Sequence, residues 1–134
     1  MSSNQNSDFS RDIHLWAYTN FQLQTLLCQN SFPPNDSIDK YLTRVGYEGV
    51  HFNELSDKQK QELMKEDAFF GPFLTGTRIV TFALKKSGLN KELLNYIQES
   101  IDSAYEAVVQ ENGNYRLIDE SYSYTLQTLS VFRP

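Results

Sequence analysis

Residues 13–28 place apolar side chains at helical spacing: Leu15, Tyr18, Phe21 and Leu26 mark a stripe that Trp16, Leu23 and Leu27 widen. Ser10 suits the N-cap, and Asp12 falls in the first turn, where the helix dipole favours an anion. Gln29-Asn30-Ser31 and Pro33-Pro34 end the helix. Residues 1–9, rich in Ser and Asn, have little to bury and read as a flexible tail ahead of one globular domain at 10–134. A short second helix, capped by Asp36 or Ser37, carries Tyr41, Leu42 and Val45 and closes at Gly46. Residues 47–52 alternate too briefly to define a strand and read as a loop. Ser56 followed by Gln59 makes a capping box. It opens a polar helix over 57–68 that should lie on the surface, anchored at its far end by Phe69-Phe70 before Gly71-Pro72 breaks it.

Residues 73–84 are ambiguous. Thr75, Thr77, Ile79, Val80, Thr81 and Phe82 favour a strand. Yet the stretch starts behind Pro72 and runs into Lys85-Lys86-Ser87-Gly88, cations followed by a C′ glycine. The end signals decide for a buried helix in which Gly76 admits a close neighbour. Asn90 caps a long helix over 91–110, with Leu93/Leu94, Ile97, Ile101, Ala104/Tyr105 and Val108 on its inner face. After the stop at Asn112-Gly113-Asn114 the period changes. Tyr115 and Leu117, then Tyr122, Tyr124 and Leu126, alternate, and Leu129 and Val131 resume after a one-residue slip that a bulge would explain. This pattern predicts a C-terminal hairpin of residues 115–118 and 122–132. The expected fold class is α+β, predominantly α-helical: a compact bundle of about five helices with a small C-terminal β-hairpin, all-α being the close alternative.

Composition narrows the function classes. The 134 residues suit one domain, and nine Phe, eight Tyr and one Trp can fill its core. No apolar run approaches the roughly 18–20 residues of a membrane span, and the polar opening Met1-Ser2-Ser3-Asn4 predicts no secretory or transit signal. The single cysteine, Cys28, cannot close an intramolecular disulfide, which points to a cytoplasmic setting. A net charge of −5 argues against direct nucleic-acid binding. The charge is also polarised: −3 over residues 1–54, +2 over 55–90 and −5 over 91–120.

The acidic end carries the strongest feature. Glu92, Glu99, Asp102 and Glu106, with Asn95 filling the gap, share the face of the long helix opposite its apolar stripe. Like charges at these spacings repel by a few tenths of a kcal/mol per pair, and no cation follows Lys91 within the helix. Such a stripe is either a docking face for a basic partner or a solvated face relieved by Lys85 or Lys86. No inward Glu-x-x-His pair and no oxygen-rich loop is present, so no metal or cofactor is expected. Cys28 with His14 or His51 and an acid such as Asp39 is the one nucleophile set to weigh, but Cys28 beside Leu26 and Leu27 suits a buried hydrophobe. No catalytic residue is assigned.

Aromatic residues complete the candidates. Trp16, Tyr18 and Phe21 with Phe69, Phe70 and Phe73 line either a ligand pocket or the ordinary core. Tyr122 and Tyr124, alternating with hydroxyl residues, would form a strand edge able to pair with a partner or with a second copy of the chain. The sequence therefore points to a non-enzymatic protein-binding module of adaptor, inhibitor or immunity type. Its partner would have a basic surface, met by Glu92, Asn95, Glu99, Asp102, Glu106, Tyr122 and Tyr124. The alternative is a small-molecule-binding protein with an aromatic-lined pocket between helices. Membrane contact is not expected.

Overall fold

The computed structural model describes residues 2–30 and 37–132. Six helices succeed one another: α1 (Ser2–Gln29), α2 (Ser37–Arg44), α3 (Asp57–Leu63), α4 (Pro72–Ser87), α5 (Leu94–Asn112) and α6 (Arg116–Ser130). Short 3-10 turns occupy Phe52–Glu54 and Lys91–Leu93. Among the described residues there is no strand, and no helix is long and apolar enough to cross a membrane.

The four long helices build a bundle in which α1 lies mainly along α5, α4 along α6, and α1 also meets α4. Its core joins Ile13, Ala17 and Phe21 of α1 to Ile79, Val80 and Ala83 of α4, the Leu94, Ile97, Ile101, Ala104 and Val108 stripe of α5, and Ile118 and Leu129 of α6. A second cluster sits under the C-terminal half of α1. There Leu23 and Leu27 meet Ile38 and Leu42 of α2, then Val45, Phe52 and Phe70.

Capping and turn residues explain several boundaries. Ser56 Oγ accepts from the Gln59 N–H at 3.1 Å, and Gln59 Oε1 accepts from the Ser56 N–H at 2.8 Å, which completes the capping box. Helix α3 stops at Leu63, sooner than its sequence suggests, and the chain coils through turns to Gly71. The ambiguous segment is helical: α4 has Pro72 at its first position and ends on Gly88 with φ 62°. Asn90 Oδ1 accepts from the Glu92 N–H at 2.9 Å and caps the 3-10 turn that leads into α5. Gly76 meets α6 so closely that a Cβ there would lie 2.6 Å from Tyr124 Cδ1 and 3.1 Å from Thr125 Oγ1.

Two expectations are corrected. Helix α1 begins at Ser2, ahead of the cap expected at Ser10, and Phe9 packs on the bundle core one turn before Ile13. The Pro33-Pro34 stop and Asp36 lie outside the described residues. At the other end the hairpin is absent, because residues 116–130 form α6. Its buried face is Ile118, Ser121, Thr125 and Leu129, a helical series in which two members are hydroxyl residues. Ser121 Oγ donates to the Leu117 carbonyl at 2.9 Å and Thr125 Oγ1 to the Ser121 carbonyl at 2.6 Å. Both hydroxyls are thus satisfied inside the helix and can be buried at little cost. The architecture is mainly α. The strand edge at Tyr122 and Tyr124, and a homo-oligomer formed through it, fall with the hairpin.

Candidate functional site

Phe69 and Phe70 belong to the coiled connection between α3 and α4, and the bundle holds that connection by its backbone. From α1, Gln24 Nε2 donates to the Phe70 carbonyl at 2.8 Å and lies 2.7 Å from Ser121 Oγ. From α4, Arg78 Nη1 donates to the Phe69 carbonyl at 2.7 Å. The same guanidinium donates through Nε to Asn20 Oδ1 at 3.0 Å and through Nη2 to Thr75 Oγ1 at 3.1 Å. It also lies over the Phe69 ring, 4.3 Å from the centroid, a cation–π placement. Gly71 closes the coil tightly, since a Cβ there would sit 1.8 Å from the Lys65 carbonyl oxygen.

Arg78 is unusual among these groups. All of its acceptors are neutral, and among the described residues no carboxylate pairs with it. Burial pushes its pKa down to about 10, so it remains cationic at neutral pH.

Beside this anchor a groove of about 450 Å³ opens between α1 and α4. Trp16, Val45, Phe69, Leu74 and Phe82 form its apolar walls, and Thr77, Arg78, Thr81 and Lys85 add polar groups. Trp16 is fixed twice: its Nε1 donates to the Arg78 carbonyl at 3.1 Å, and its ring stacks on Phe82 with centroids 4.8 Å apart. An adjoining hollow shares Trp16 and Phe82 and adds Asp12, Leu15, Arg44 and Lys86. The groove volume lies in the range of small-ligand sites, about 300–1,000 Å³.

Of the aromatic residues expected to line a pocket, Trp16 and Phe69 do so. Phe21 and Phe70 are fully buried core residues. Tyr18 borders a separate hollow with Leu26, Ile38 and Tyr41. Phe73 is exposed and packs on Tyr124, ring centroids 4.9 Å apart. Sequence reasoning missed Leu74, Arg78, Phe82 and Lys85, which recur at steps of four, four and three along one side of α4. The signal was present in a stretch whose β-branched residues drew attention to strand propensity.

The acidic set is divided. Glu92, Asn95, Glu99 and Glu106 are exposed, and among the described residues no ion pair reaches the four carboxylates. Lys86 pairs with Asp12 at 3.4 Å and Lys85 lines the groove. Asp102 accepts from the Tyr122 hydroxyl, and Tyr122 stacks on Tyr105 with centroids 4.0 Å apart, within the α5–α6 packing. Tyr124 lies away from this face, beside Gly76 and Phe73. Cys28 rests 4.0 Å from Met64 Sδ, and burial pushes its thiol up to about 11, the reverse of an activated thiolate. His51 pairs with Asp39 through Nε2 and accepts the Asn53 N–H at Nδ1, while His14 stacks on Tyr18. Among the described residues no three His, Cys, Asp or Glu side chains gather as metal ligands.

Three tyrosines cap carboxylates around α5: Tyr18 donates to Glu111, Tyr105 to Asp119 and Tyr122 to Asp102. Burial and the Glu111 bond push Tyr18 up to about 12, and the Asp119 bond with burial pushes Tyr105 up to about 12. Tyr122 is raised by burial and by Asp102. An unfolded tyrosine titrates near pH 10. A raised folded value therefore gives stability that is complete below about pH 10 and lost as pH rises through 12. Urea unfolding is expected to show declining stability between about pH 10 and 12, less steeply in Tyr105→Phe than in the wild type. Equal slopes for the two proteins would contradict the Tyr105–Asp119 bond. No protein-family model matches the chain, and neither does any curated protein or solved structure.

Proposed function

We propose that the protein is a non-enzymatic binding protein whose site is the groove between α1 and α4, occupied by a small, largely apolar ligand. The observation that carries this reading is the apolar wall of Trp16, Phe69, Phe82, Leu74 and Val45 around about 450 Å³ of space. Its rings are fixed before any ligand arrives, which reduces the ordering cost of binding. Leu74 is 42% exposed and gains burial when the groove fills. The lone Cys28 supports a reducing, cytoplasmic setting.

A second surface is favoured by Glu99 and Glu106 of α5, which are exposed and make no ion pair among the described residues. It suits docking to a basic protein partner, as in an adaptor, inhibitor or immunity-type protein, where complementary charge speeds encounter and suppresses wrong partners.

Trp16 is the sole tryptophan and lies in the groove wall, so a bound ligand should change its fluorescence. Fully burying a leucine contributes about 1.5–3 kcal/mol, and Leu74 has 42% of its surface left to bury, so Leu74→Asp is expected to weaken that ligand roughly fivefold while the unfolding midpoint stays near the wild type. A flat Trp16 signal across a panel of apolar small molecules would contradict the groove reading. For the acidic face, the pair Glu99→Lys and Glu106→Lys is the clean reversal, because Asp102 also serves Tyr122. A basic partner captured at low salt should bind this variant roughly tenfold more weakly. Unchanged affinity would remove the acidic face from the account.

A further inference from the structure

We infer that the ligand of this groove is a small anionic amphiphile: an apolar body among Trp16, Phe69 and Phe82, with a carboxylate head at Arg78 and Lys85. The inference rests on the groove reading and adds the chemistry of its occupant. The charged residues lining the groove are both cations, Arg78 and Lys85. The adjoining hollow adds Arg44 and Lys86, and its one acid, Asp12, is already paired with Lys86. This is a local reversal of sign in a chain of net charge −5. A carboxylate that most of the surface would repel is favoured here.

Arg78 supplies the second argument. A guanidinium has five N–H donors, and here three donors go to an amide oxygen, a backbone carbonyl and a hydroxyl. These acceptors satisfy hydrogen-bond geometry without neutralising the charge. Charges withdrawn from water are ordinarily paired, yet Arg78 is half-buried and among the described residues has no carboxylate. A ligand carboxylate reaching the remaining donors would complete the pair, and guanidinium–carboxylate bonds are among the stronger ones. Lys85, exposed at the rim, would add attraction that weakens with salt.

The test uses one apolar chain with three heads: octanoate, octanamide and octylamine, titrated into the full chain by calorimetry and Trp16 fluorescence. Octanoate is expected to bind roughly tenfold more tightly than octanamide, with octylamine weakest. Lys85→Glu, an exposed change outside the core, is expected to weaken octanoate roughly fivefold and leave octanamide unaffected. Octanamide binding as well as octanoate would overturn the anionic head while leaving the groove in place. Preference for octylamine would overturn it too. No response to any of the three would overturn the groove reading itself, and the inference with it.

Discussion

Two consecutive backbone carbonyls, those of Phe69 and Phe70, are captured by side chains of two different helices, Arg78 of α4 and Gln24 of α1. Connecting segments usually stay on the surface because their polar backbone needs water. Here the full burial of Phe70 draws the connection inward, and its carbonyl must follow. A buried carbonyl left without a donor costs about 1–3 kcal/mol, so the inward turn requires donors from the bundle. Gln24 meets that need at a cost to itself, since its Oε1 is buried without a partner among the described residues. Once the turn is held, Phe52, Phe69, Phe70 and Tyr47 pack around it in edge-to-face and tilted pairs, with centroids 4.8–5.7 Å apart. The second core cluster then has a floor.

The same atoms shape the groove. The Arg78 carbonyl orients Trp16, the Arg78 guanidinium lies over Phe69, and both rings become wall. Because the acceptors that the guanidinium meets among the described residues are neutral, its positive charge persists in the site. The molecule is left with two faces of opposite sign, acidic along α5 and cationic at the groove between α1 and α4. Structural anchor and candidate recognition group are one residue.

Much of this helical framework is legible in the sequence, and the reasons are local. Ser56 with Gln59, Pro72 with Gly88, and Asn90 mark boundaries through chemistry confined to a few residues. The long stripe from Leu94 to Val108 repeats often enough to be unmistakable. Helix α6 was hidden because Ser121 and Thr125 occupy core positions through bonds to their own helix, so counting apolar residues gave a false period of two. The start of α1 was hidden because Phe9 is a lone apolar residue in polar surroundings. The site was half legible. Trp16 and Phe69 stood out as aromatics, but periodicity gives a residue's helix face without its neighbour, and Phe21 and Phe70 turn into the core. Arg78 was invisible, since a cation in a helical stretch is read as exposed.

Arg78 holds the Phe69–Phe70 turn to the bundle, and hydrogen exchange can read that restraint amide by amide. The Phe70 N–H donates to the Leu63 carbonyl at 3.0 Å and reports opening of the coil. Arg78→Met keeps an apolar stem and removes every donor. Bonds from a charged group contribute about 1.5–3 kcal/mol, so the variant is expected to lose roughly 100-fold in protection at Phe70. Unchanged protection at Phe70 would contradict this role.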